Sequence, residues 1–260
     1  MPLFSTDRAS QLSHFQDADP DHYRWQTAPG YFADTESSLV HQAELGVDGR
    51  LLEIGCGEGG NLFHLGSRPG WVGVDFSRAK LAHASAQLPD ARFAVCDAAH
   101  LPFADDSFDA VLIRDLLHHV PDRPAVVREA VRVLRPGGRL AVIEPNRYHP
   151  LIVAQALLLA AERAALRSTA KRLRTELERA GLEAISIATA QPLPLARVVL
   201  HPGFGLGRLG DNRTVASLLE VVDRAARRLV PRAVWMYLVA GGRKSPAVHD
   251  SGVRAHSRSR

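Results

Sequence analysis

A glycine-rich segment at residues 51–61, LLEIGCGEGGN, limits what this chain can fold into more than any other feature. An apolar run leads into the glycines, and a helical pattern that opens at Asn61 follows them. Gly55, Gly57 and Gly59 permit a sharp turn, and because they carry no Cβ they let backbone amides approach a ligand closely. The helix N-terminus that follows adds unpaired amides and the positive end of a dipole. The segment therefore predicts a nucleotide-type site at the carboxyl end of a parallel strand.

Short apolar runs alternate with longer helical patterns along the rest of the chain. Each run is bounded by Gly, Asp or Pro, as expected of a strand buried on both faces. The alternation predicts an α/β fold: a Rossmann-like, mostly parallel sheet with helices on both faces, arranged as a three-layer sandwich. The predicted strands are Arg50–Ile54, Trp71–Val74, Ala91–Val95, Ala110–Ile113, Leu140–Ile143, Glu183–Ala188 and Trp235–Ala240. The predicted helices are Asn61–Leu65, Arg78–Leu88, Arg123–Leu134, 151–167, one capped by Ser168 or Thr169 and ended by Gly181, and Thr214–Leu229.

Length and composition suit a single globular domain. The chain has 260 residues, of which 46% are apolar and 23% charged, and we expect the domain to span residues 21–244. Residues 1–20 show no period and residues 245–260 no apolar spacing, so both ends are predicted to be disordered. The longest apolar run, Leu151 to Ala161, falls short of the ~20 residues that cross a bilayer. No stable membrane insertion is therefore expected.

Charge and cysteine content exclude several classes of function. The net charge is +4, but the arginines are spread along the chain and matched by nearby acids, so no nucleic-acid surface is expected. Cys56 and Cys96 offer no disulfide framework, and no secretion signal opens the chain, which together favour a cytoplasmic protein. We interpret the two cysteines as small residues beside a ligand rather than as nucleophiles. The sequence does not predict the oligomeric state.

The glycine turn on its own fits more than one nucleotide. Gly55, Gly57 and Gly60 match the GxGxxG pattern of dinucleotide enzymes, and Asp75 follows at the spacing of their ribose-binding acid. An NAD-dependent oxidoreductase therefore remains an alternative at this point.

Three further features favour S-adenosylmethionine over NAD. Glu53 lies within the strand before the turn, where its carboxylate can face the ammonium group of the cofactor, directly or through water. Asp97 follows the third predicted strand, where it can accept a hydrogen bond from the adenine amino group. The turn at residues 135–138, RPGG, precedes the fifth strand. An NAD site explains neither Asp97 nor this turn.

These features resemble the class I S-adenosylmethionine-dependent methyltransferases, in particular the small-molecule branch called methyltransferase type 11. The resemblance covers roughly residues 40–145. It implies a seven-stranded sheet with an antiparallel last strand, S-adenosyl-L-methionine as cofactor, and methyl transfer as the activity. It rests on LLEIGCGEGGN (51–61), VGVDFS (72–77), CDAAHLPFADDSFDAVLIRDLLHHV (96–120) and RVLRPGGRLAVIEPN (132–146).

The resemblance also implies the cofactor contacts. In that family, the residues at the positions of Gly55–Gly59 wrap the methionine part of the cofactor, and the residue at Asp75 holds both ribose hydroxyls. The residues at Asp97 and Ala98 contact the adenine, and the ring at Phe76 packs on it. Two simpler interpretations stay open, because Asp75 can merely cap the next helix and Asp97 can be a turn residue. The segment from Arg114 to Leu116 is expected to line the methyl-donor pocket. The predicted cofactor-binding residues are Glu53, Gly55, Cys56, Gly57, Gly59, Asn61, Asp75, Phe76, Asp97, Ala98 and Arg114.

A hydroxyl or acidic-carbon acceptor would need a base beside the methyl donor. The predicted catalytic residues are His119 and Glu144; His118 is a weaker candidate, and the pair His118-His119 is expected to open the helix after the fourth strand. In that family a Leu-His-His segment recurs with acceptors of different chemistry, so a packing role for the pair is the alternative. Glu144 either faces the acceptor or bonds nearby backbone and Arg147. No Cys/His cluster has metal-ligand spacing, so no metal is predicted.

The acceptor is predicted to be a small or lipid-like molecule. An aromatic-rich stretch in residues 21–45 can form a lid, and residues 146–215, with a Gly-rich loop from His201 to Asn212, form an insertion on the acceptor side. The alternatives are an ordinary packed helix for the lid and burial in the core for the apolar part of the insertion. A non-catalytic cofactor-binding module is the other class of function. A nucleic-acid or protein methyltransferase is disfavoured, because residues 114–117 read RDLL rather than an Asn-Pro-Pro-Tyr-like tetrad.

Overall fold

The computed structural model describes residues 17–46, 48–194, 197, 209 and 212–246. Seven strands form one sheet in the order β3-β2-β1-β4-β5-β7-β6. All pairings from β3 to β5 are parallel, and β7 runs antiparallel between β5 and β6. This confirms the predicted fold class, including the antiparallel last strand. The strands are β1 (Leu51–Ile54), β2 (Val72–Asp75), β3 (Arg92–Val95), β4 (Phe108–Arg114), β5 (Leu134–Pro145), β6 (Leu182–Ala190) and β7 (Tyr237–Lys244).

Helices surround the sheet, and none of those in the described ranges is long and apolar enough to cross a membrane. In the same described ranges, two 3-10 helices accompany them, Ala160–Arg167 and Arg232–Val234. The α-helices are α1 (Pro20–Thr27), α2 (Tyr31–His41), α3 (Gly60–His64), α4 (Arg78–Gln87), α5 (Arg123–Val133), α6 (Pro150–Leu158), α7 (Ala170–Arg179) and α8 (Arg213–Leu229).

The central strands are buried on both faces. In β4, Val111 and Ile113 belong to one cluster of buried apolar side chains, whereas Ala110 and Leu112 belong to a second. Because successive side chains of a strand point to opposite faces, the two clusters cover the two sides of the sheet. This is the packing of a three-layer sandwich.

The strand order reverses between β1 and β4. From β1 the chain proceeds outward through β2 to β3, then returns to the other side of β1 as β4 and continues to β5. The carboxyl ends of parallel strands on either side of such a reversal leave a crevice in which ligands bind. The glycine turn after β1 and the segment after β4 both lie at this point.

The insertion segment divides where a continuous helix was predicted. Residues 151–167 lie in two helices that follow each other, α6 and the 3-10 helix Ala160–Arg167. Leu159, between the two, has an extended conformation. Strand β5 also begins earlier than predicted, since Phe108 pairs with Leu134 and Ala110 with Arg139. The RPGG segment bulges out between these two pairs.

The prediction that His118-His119 opens a helix is wrong. Residues 117–119 form a turn, and α5 begins only at Arg123, with the Asp122 side chain accepting a hydrogen bond from Ala125 N at 2.9 Å. Pro121 explains the delay, because a proline disfavours the helical conformation of the residue before it. The two histidines therefore lie on the crevice wall rather than in a helix.

The chain ends depart partly from expectation. Helix α1 starts at Pro20, inside the stretch predicted to be disordered, and the Asp19 side chain accepts hydrogen bonds from two backbone amides of its first turn. Residues 1–16 and 247–260 lie outside the described residues, as does most of the Gly-rich loop from His201 to Asn212.

Candidate cofactor and acceptor site

The glycine turn after β1 is held against β2 by its backbone. The amides of Gly55 and Cys56 both donate to the Val74 carbonyl, at 2.7 and 3.0 Å. Gly55 and Gly57 have φ values of +75° and +51°, a region that favours glycine. A Cβ on Gly55 would lie 3.0 Å from the Leu116 side chain, whereas the space beside Gly57 is open. The turn therefore presents bare backbone toward the crevice.

Glu53 lies beneath this turn and is fully buried. Asn61 Nδ2 donates to its Oε1, and Arg114 Nη1 donates in turn to Asn61 Oδ1 at 2.8 Å. Within the described ranges, Glu53 Oε2 has no hydrogen-bond partner. Burial raises the pKa of this carboxyl to about 8, although Asn61 and Arg114 oppose the rise. A buried oxygen in this state fits the ammonium group of S-adenosylmethionine.

Asp75 ends β2 and binds the glycine turn. Its Oδ2 accepts from Gly57 N at 3.0 Å and its Oδ1 from Ser77 N at 2.9 Å. Burial raises its pKa, and these two hydrogen bonds oppose the rise. The helix cap is Ser77, whose side chain accepts from Lys80 N at 3.2 Å. Asp75 is therefore not simply the cap of α4, and each of its oxygens retains a lone pair for a ligand hydroxyl.

Two adjoining clefts open above the crevice. The first has a volume of about 320 Å³ and reaches from the glycine turn to α6 and the 3-10 helix after it. The second has a volume of about 470 Å³ and is lined by Asp97, Ala98 and Phe76 among others. Residues that border both clefts join them into one space: Gly55, Asp75, Phe76, Leu116 and His119.

The second cleft suits a planar base. The Phe76 side chain is 37% exposed, and Asp97 lines the same cleft. Asp97 Oδ1 accepts from Ala99 N at 3.0 Å, which fixes the direction of the carboxylate. A carboxylate with an aromatic face beside it can bind the amino group and the ring of adenine. The clefts together fit a cofactor with amino-acid, ribose and base parts.

Arg114 has a structural partner that the sequence did not predict. Its Nη2 donates to Glu36 Oε2, which comes from α2 and is buried. Arg197 Nη2 donates to the same carboxylate at 2.9 Å. Burial by itself would raise the pKa of Glu36, but the two guanidinium groups outweigh this effect and lower the pKa to about 2. Arg114 borders the first cleft, but its charge is balanced by Glu36 and is not available for a ligand alone.

Glu144 is fully buried at the end of β5. Its Oε1 accepts from Leu116 N and Leu117 N, at 3.0 and 2.8 Å, and its Oε2 lies 3.0 Å from His118 Nδ1. Burial by itself would raise the pKa of Glu144 and lower that of His118. The attraction between the two opposite charges outweighs this effect, so the pKa of Glu144 is lowered to about 2 and that of His118 is raised to about 10. The carboxylate thus orients His118; no hydrogen bond to Arg147 is among its contacts in the described residues.

His118 faces a second carboxylate on its other side. Its Nε2 lies 3.7 Å from Glu162 Oε2, which comes from the 3-10 helix after α6. His119, the next residue, borders both clefts. Nothing in the sequence indicates that Glu162 lies here, because it follows His119 by 43 positions and falls outside the motifs that resemble the family.

The predicted lid and insertion both reach the first cleft. His22 and Gln26 of α1 line it, and the Gln26 carbonyl lies 3.0 Å from His64 Nε2. Ile152 and Gln155 of α6 line the opposite side. The cofactor half and the insertion half of the site therefore share one cavity.

A comparison with protein families identifies the matched core. The Methyltransf_11 family model, described as a methyltransferase domain, matches residues 52–142. This range includes the glycine turn, Asp75, Asp97 and His119.

Curated relatives match part of this chain. GfsG, a methyltransferase of Streptomyces halstedii, is 35% identical over 53% of this chain and 55% of its own length. The 27-O-demethylrifamycin SV methyltransferase of Amycolatopsis mediterranei is 38% identical over 40% and 41%. The phthiotriol/phenolphthiotriol dimycocerosates methyltransferase of Mycobacterium leprae is 41% identical over 35% and 36%. The chain thus spans about a third to just over half of the length of these relatives.

Solved structures share the fold over most of the chain. A Thermotoga maritima protein described as a SAM-dependent methyltransferase superimposes with a TM-score of 0.63 at 19% identity, covering 91% of this chain and 99% of that one. Over residues 52–142 this chain is thus similar to a methyltransferase domain, and its seven-stranded sheet is the fold of a structure described as a SAM-dependent methyltransferase.

Proposed function

We propose that this chain transfers a methyl group from S-adenosylmethionine to a small or lipid-like acceptor, within a single domain spanning residues 21–244. The observation that carries the proposal is the joined pair of clefts. One end presents the glycine turn, Asp75 and Asp97, and the other end is formed by the insertion after β5. Donor and acceptor bound at the two ends would meet at Leu116 and His119, which border both clefts.

Each part of the cofactor has a candidate partner. Glu53 Oε2 would accept from the ammonium group, while Gly55–Gly59 lie along the amino-acid part. Asp75 would accept from the ribose hydroxyls and Asp97 from the adenine amino group. The remaining candidates act at these same places: Cys56, Asn61, Phe76, Ala98 and Arg114. Of these, we place Arg114 as a positioning residue, because it donates to Asn61, which in turn donates to Glu53.

The bound cofactor supplies a methyl group already activated on a sulfonium, so the main tasks of the chain are alignment and the exclusion of water. His119 lies where the two clefts join, and we propose that it acts on the reacting group of the acceptor. Glu144 cannot reach an acceptor, because it is fully buried and bound to two amides and His118. We therefore propose Glu144 as a positioning residue.

An apolar acceptor is supported by the insertion and by the relatives. Ile152 and Met236 line the first cleft, and Leu157 and Leu158 at the end of α6 are 68% and 82% exposed. Two of the relatives are named for a rifamycin and for dimycocerosates as acceptors. Burial of each acceptor methylene favours binding by about 0.8 kcal/mol. Acceptors with apolar tails should therefore be preferred over compact polar ones.

Ligand titration followed by a turnover assay tests the proposal. The full chain is titrated with S-adenosylmethionine, S-adenosylhomocysteine and NAD by calorimetry, and S-adenosylhomocysteine formation is then measured with phenolic, quinol and macrolide acceptors. We expect binding of the first two ligands and turnover with at least one apolar acceptor. Binding of NAD alone would overturn the proposal. Cofactor binding without turnover across the whole panel would instead favour a non-catalytic module.

The raised pKa of Glu53 predicts that cofactor affinity depends on pH. Without ligand, the carboxyl is mostly protonated below its pKa of about 8, but an ammonium group prefers the carboxylate. Binding near pH 7 therefore releases a proton, so affinity should rise toward pH 8, by at most about tenfold per unit. The rise should level off above about pH 8, where the carboxyl is already ionised without ligand, and the affinity should fall where the amino group of the cofactor loses its proton. Calorimetric titration with S-adenosylhomocysteine between pH 6 and 8 measures it.

The variant Glu53→Gln removes the titrating group, and its affinity should be lower and nearly independent of pH. Glu183→Gln, at an exposed acid, serves as the matched control and should keep the wild-type profile. Arg114 and Asp75 also face Glu53, with opposite effects on its pKa, and both remain in place in these variants. An equal slope in Glu53→Gln and the wild type would show that Glu53 does not bind the ammonium group.

A further inference from the structure

Three side chains with metal-ligating atoms meet on the wall of the first cleft. His118 and His119 come from the turn after β4, and Glu162 comes from the 3-10 helix after α6. One ligand atom from each lies within 4.8 Å of the other two, and His118 Nε2 lies 3.7 Å from Glu162 Oε2. Donor atoms bound to one zinc ion at 2.0–2.1 Å in tetrahedral geometry are about 3.4 Å apart. Small side-chain rotations would therefore bring the three atoms to a common ion.

The surroundings of His118 provide a second, independent observation. Histidines that bind metals usually donate their other ring nitrogen to a carboxylate, which fixes the tautomer and the orientation of the ring. Here Nδ1 is bonded to Glu144 at 3.0 Å, and Glu144 is itself fixed by the amides of Leu116 and Leu117. The ring thus presents Nε2 toward Glu162, on the cleft side.

We propose that His118, His119 and Glu162 bind one divalent transition-metal ion such as Zn²⁺, which takes the place of the proton on His118 Nε2 and releases it to solvent. Two imidazoles and one carboxylate suit zinc or iron rather than magnesium, which prefers oxygen ligands. Three protein ligands beside a cleft leave an open coordination position, as in catalytic rather than structural sites. The prediction that no metal binds rested on sequence spacing alone, and the third ligand becomes visible only in the folded chain.

The position of the ion indicates what it would do. An oxygen ligand on a divalent ion has a lowered pKa, so an acceptor hydroxyl in the open position would lose its proton to solvent more readily. This step rests on the proposed function and specifies how His119 acts on the acceptor, namely as a metal ligand. Metal binding itself does not depend on the proposed function and can be measured without cofactor or acceptor.

Metal titration of the full chain tests the site. Protein freed of metal with a chelator is titrated with Zn²⁺ by calorimetry, and with Co²⁺ by visible absorption. We expect one ion per chain, and at least tenfold weaker binding in Glu162→Gln and His119→Asn. Glu144→Gln should lose about 10–100-fold in affinity through the orientation of His118. The controls Glu178→Gln and His41→Asn, at exposed positions outside the clefts, should bind as the wild type does.

The outcomes separate the metal site from the methyl transfer. Absence of stoichiometric binding, or equal binding by Glu162→Gln, His119→Asn and the wild type, would overturn the metal site. Methyl transfer at full rate in the chelator-treated protein would overturn the role of the ion while leaving the proposed function intact. Zinc binding that is lost in Glu162→Gln and His119→Asn, in a protein that transfers no methyl group, would leave the metal site supported and remove the proposed function.

Discussion

Replacement of Glu36 by alanine is expected to lower the free energy of unfolding by about 3–5 kcal/mol, the usual cost of removing one partner from a buried ion pair. Glu36 is 1% exposed and balances the guanidinium groups of Arg114 and Arg197. Without it, the buried Arg114 guanidinium would keep only Asp115 as a nearby acid, at 3.5 Å, and Arg197 would lose the carboxylate that it contacts at 2.9 Å. Chemical denaturation followed by circular dichroism measures the change.

Glu44→Ala is the matched control for this experiment. Glu44 also pairs with an arginine, Arg139, but at 3.5 Å and with 77% of its side chain exposed. An exposed pair contributes at most about 1 kcal/mol, so this variant should be nearly as stable as the wild type. Equal, small losses in both variants would contradict the account of Glu36 as the carboxylate that joins α2 to the end of β4.

Replacement of Asp75 by alanine is expected to weaken the binding of S-adenosylhomocysteine by about 1–3 kcal/mol, or roughly 5- to 150-fold. The variant loses charge-assisted hydrogen bonds to the ribose and also the bond from Gly57 N that holds the glycine turn. Asp75→Asn keeps one acceptor oxygen and should show an intermediate loss. Calorimetric titration measures the dissociation constants of both variants.

The control here is Asp90→Ala, an exposed aspartate after α4, which should bind the ligand as the wild type does. A thermal melt of each variant separates loss of binding from loss of folding. Unchanged affinity in a folded Asp75→Ala protein would mean that the ribose does not bind at the end of β2.

The cofactor half of the site could be predicted from the sequence because its geometry is local. Gly55 to Gly59 follow a strand directly, and Asp75 and Asp97 each end or follow another strand of the same parallel sheet. The pattern of apolar runs places those ends at one edge. Short segments with strong backbone requirements thus determine both the fold and the position of the candidate residues.

The acceptor half could not be predicted in the same way because its contacts join distant segments. Glu36 meets Arg114, and Glu162 meets His118, through packing of helices whose relative placement no short motif specifies. The early start of β5 has a similar cause, since pairing of Leu134 with Phe108 depends on the bulge between them. The sequence leaves the role of Glu144 open for the same reason, because only the fold shows that this side chain is buried.

A crystal structure of the chain with S-adenosylhomocysteine would show where each part of the cofactor binds. We expect the amino-acid part to lie along Gly55–Gly59 with its ammonium group at Glu53. The ribose should lie at Asp75 and the adenine between Phe76 and Asp97. The sulfur should then point toward Leu116 and His119. A ligand bound elsewhere, with these positions empty at saturating concentration, would contradict the account.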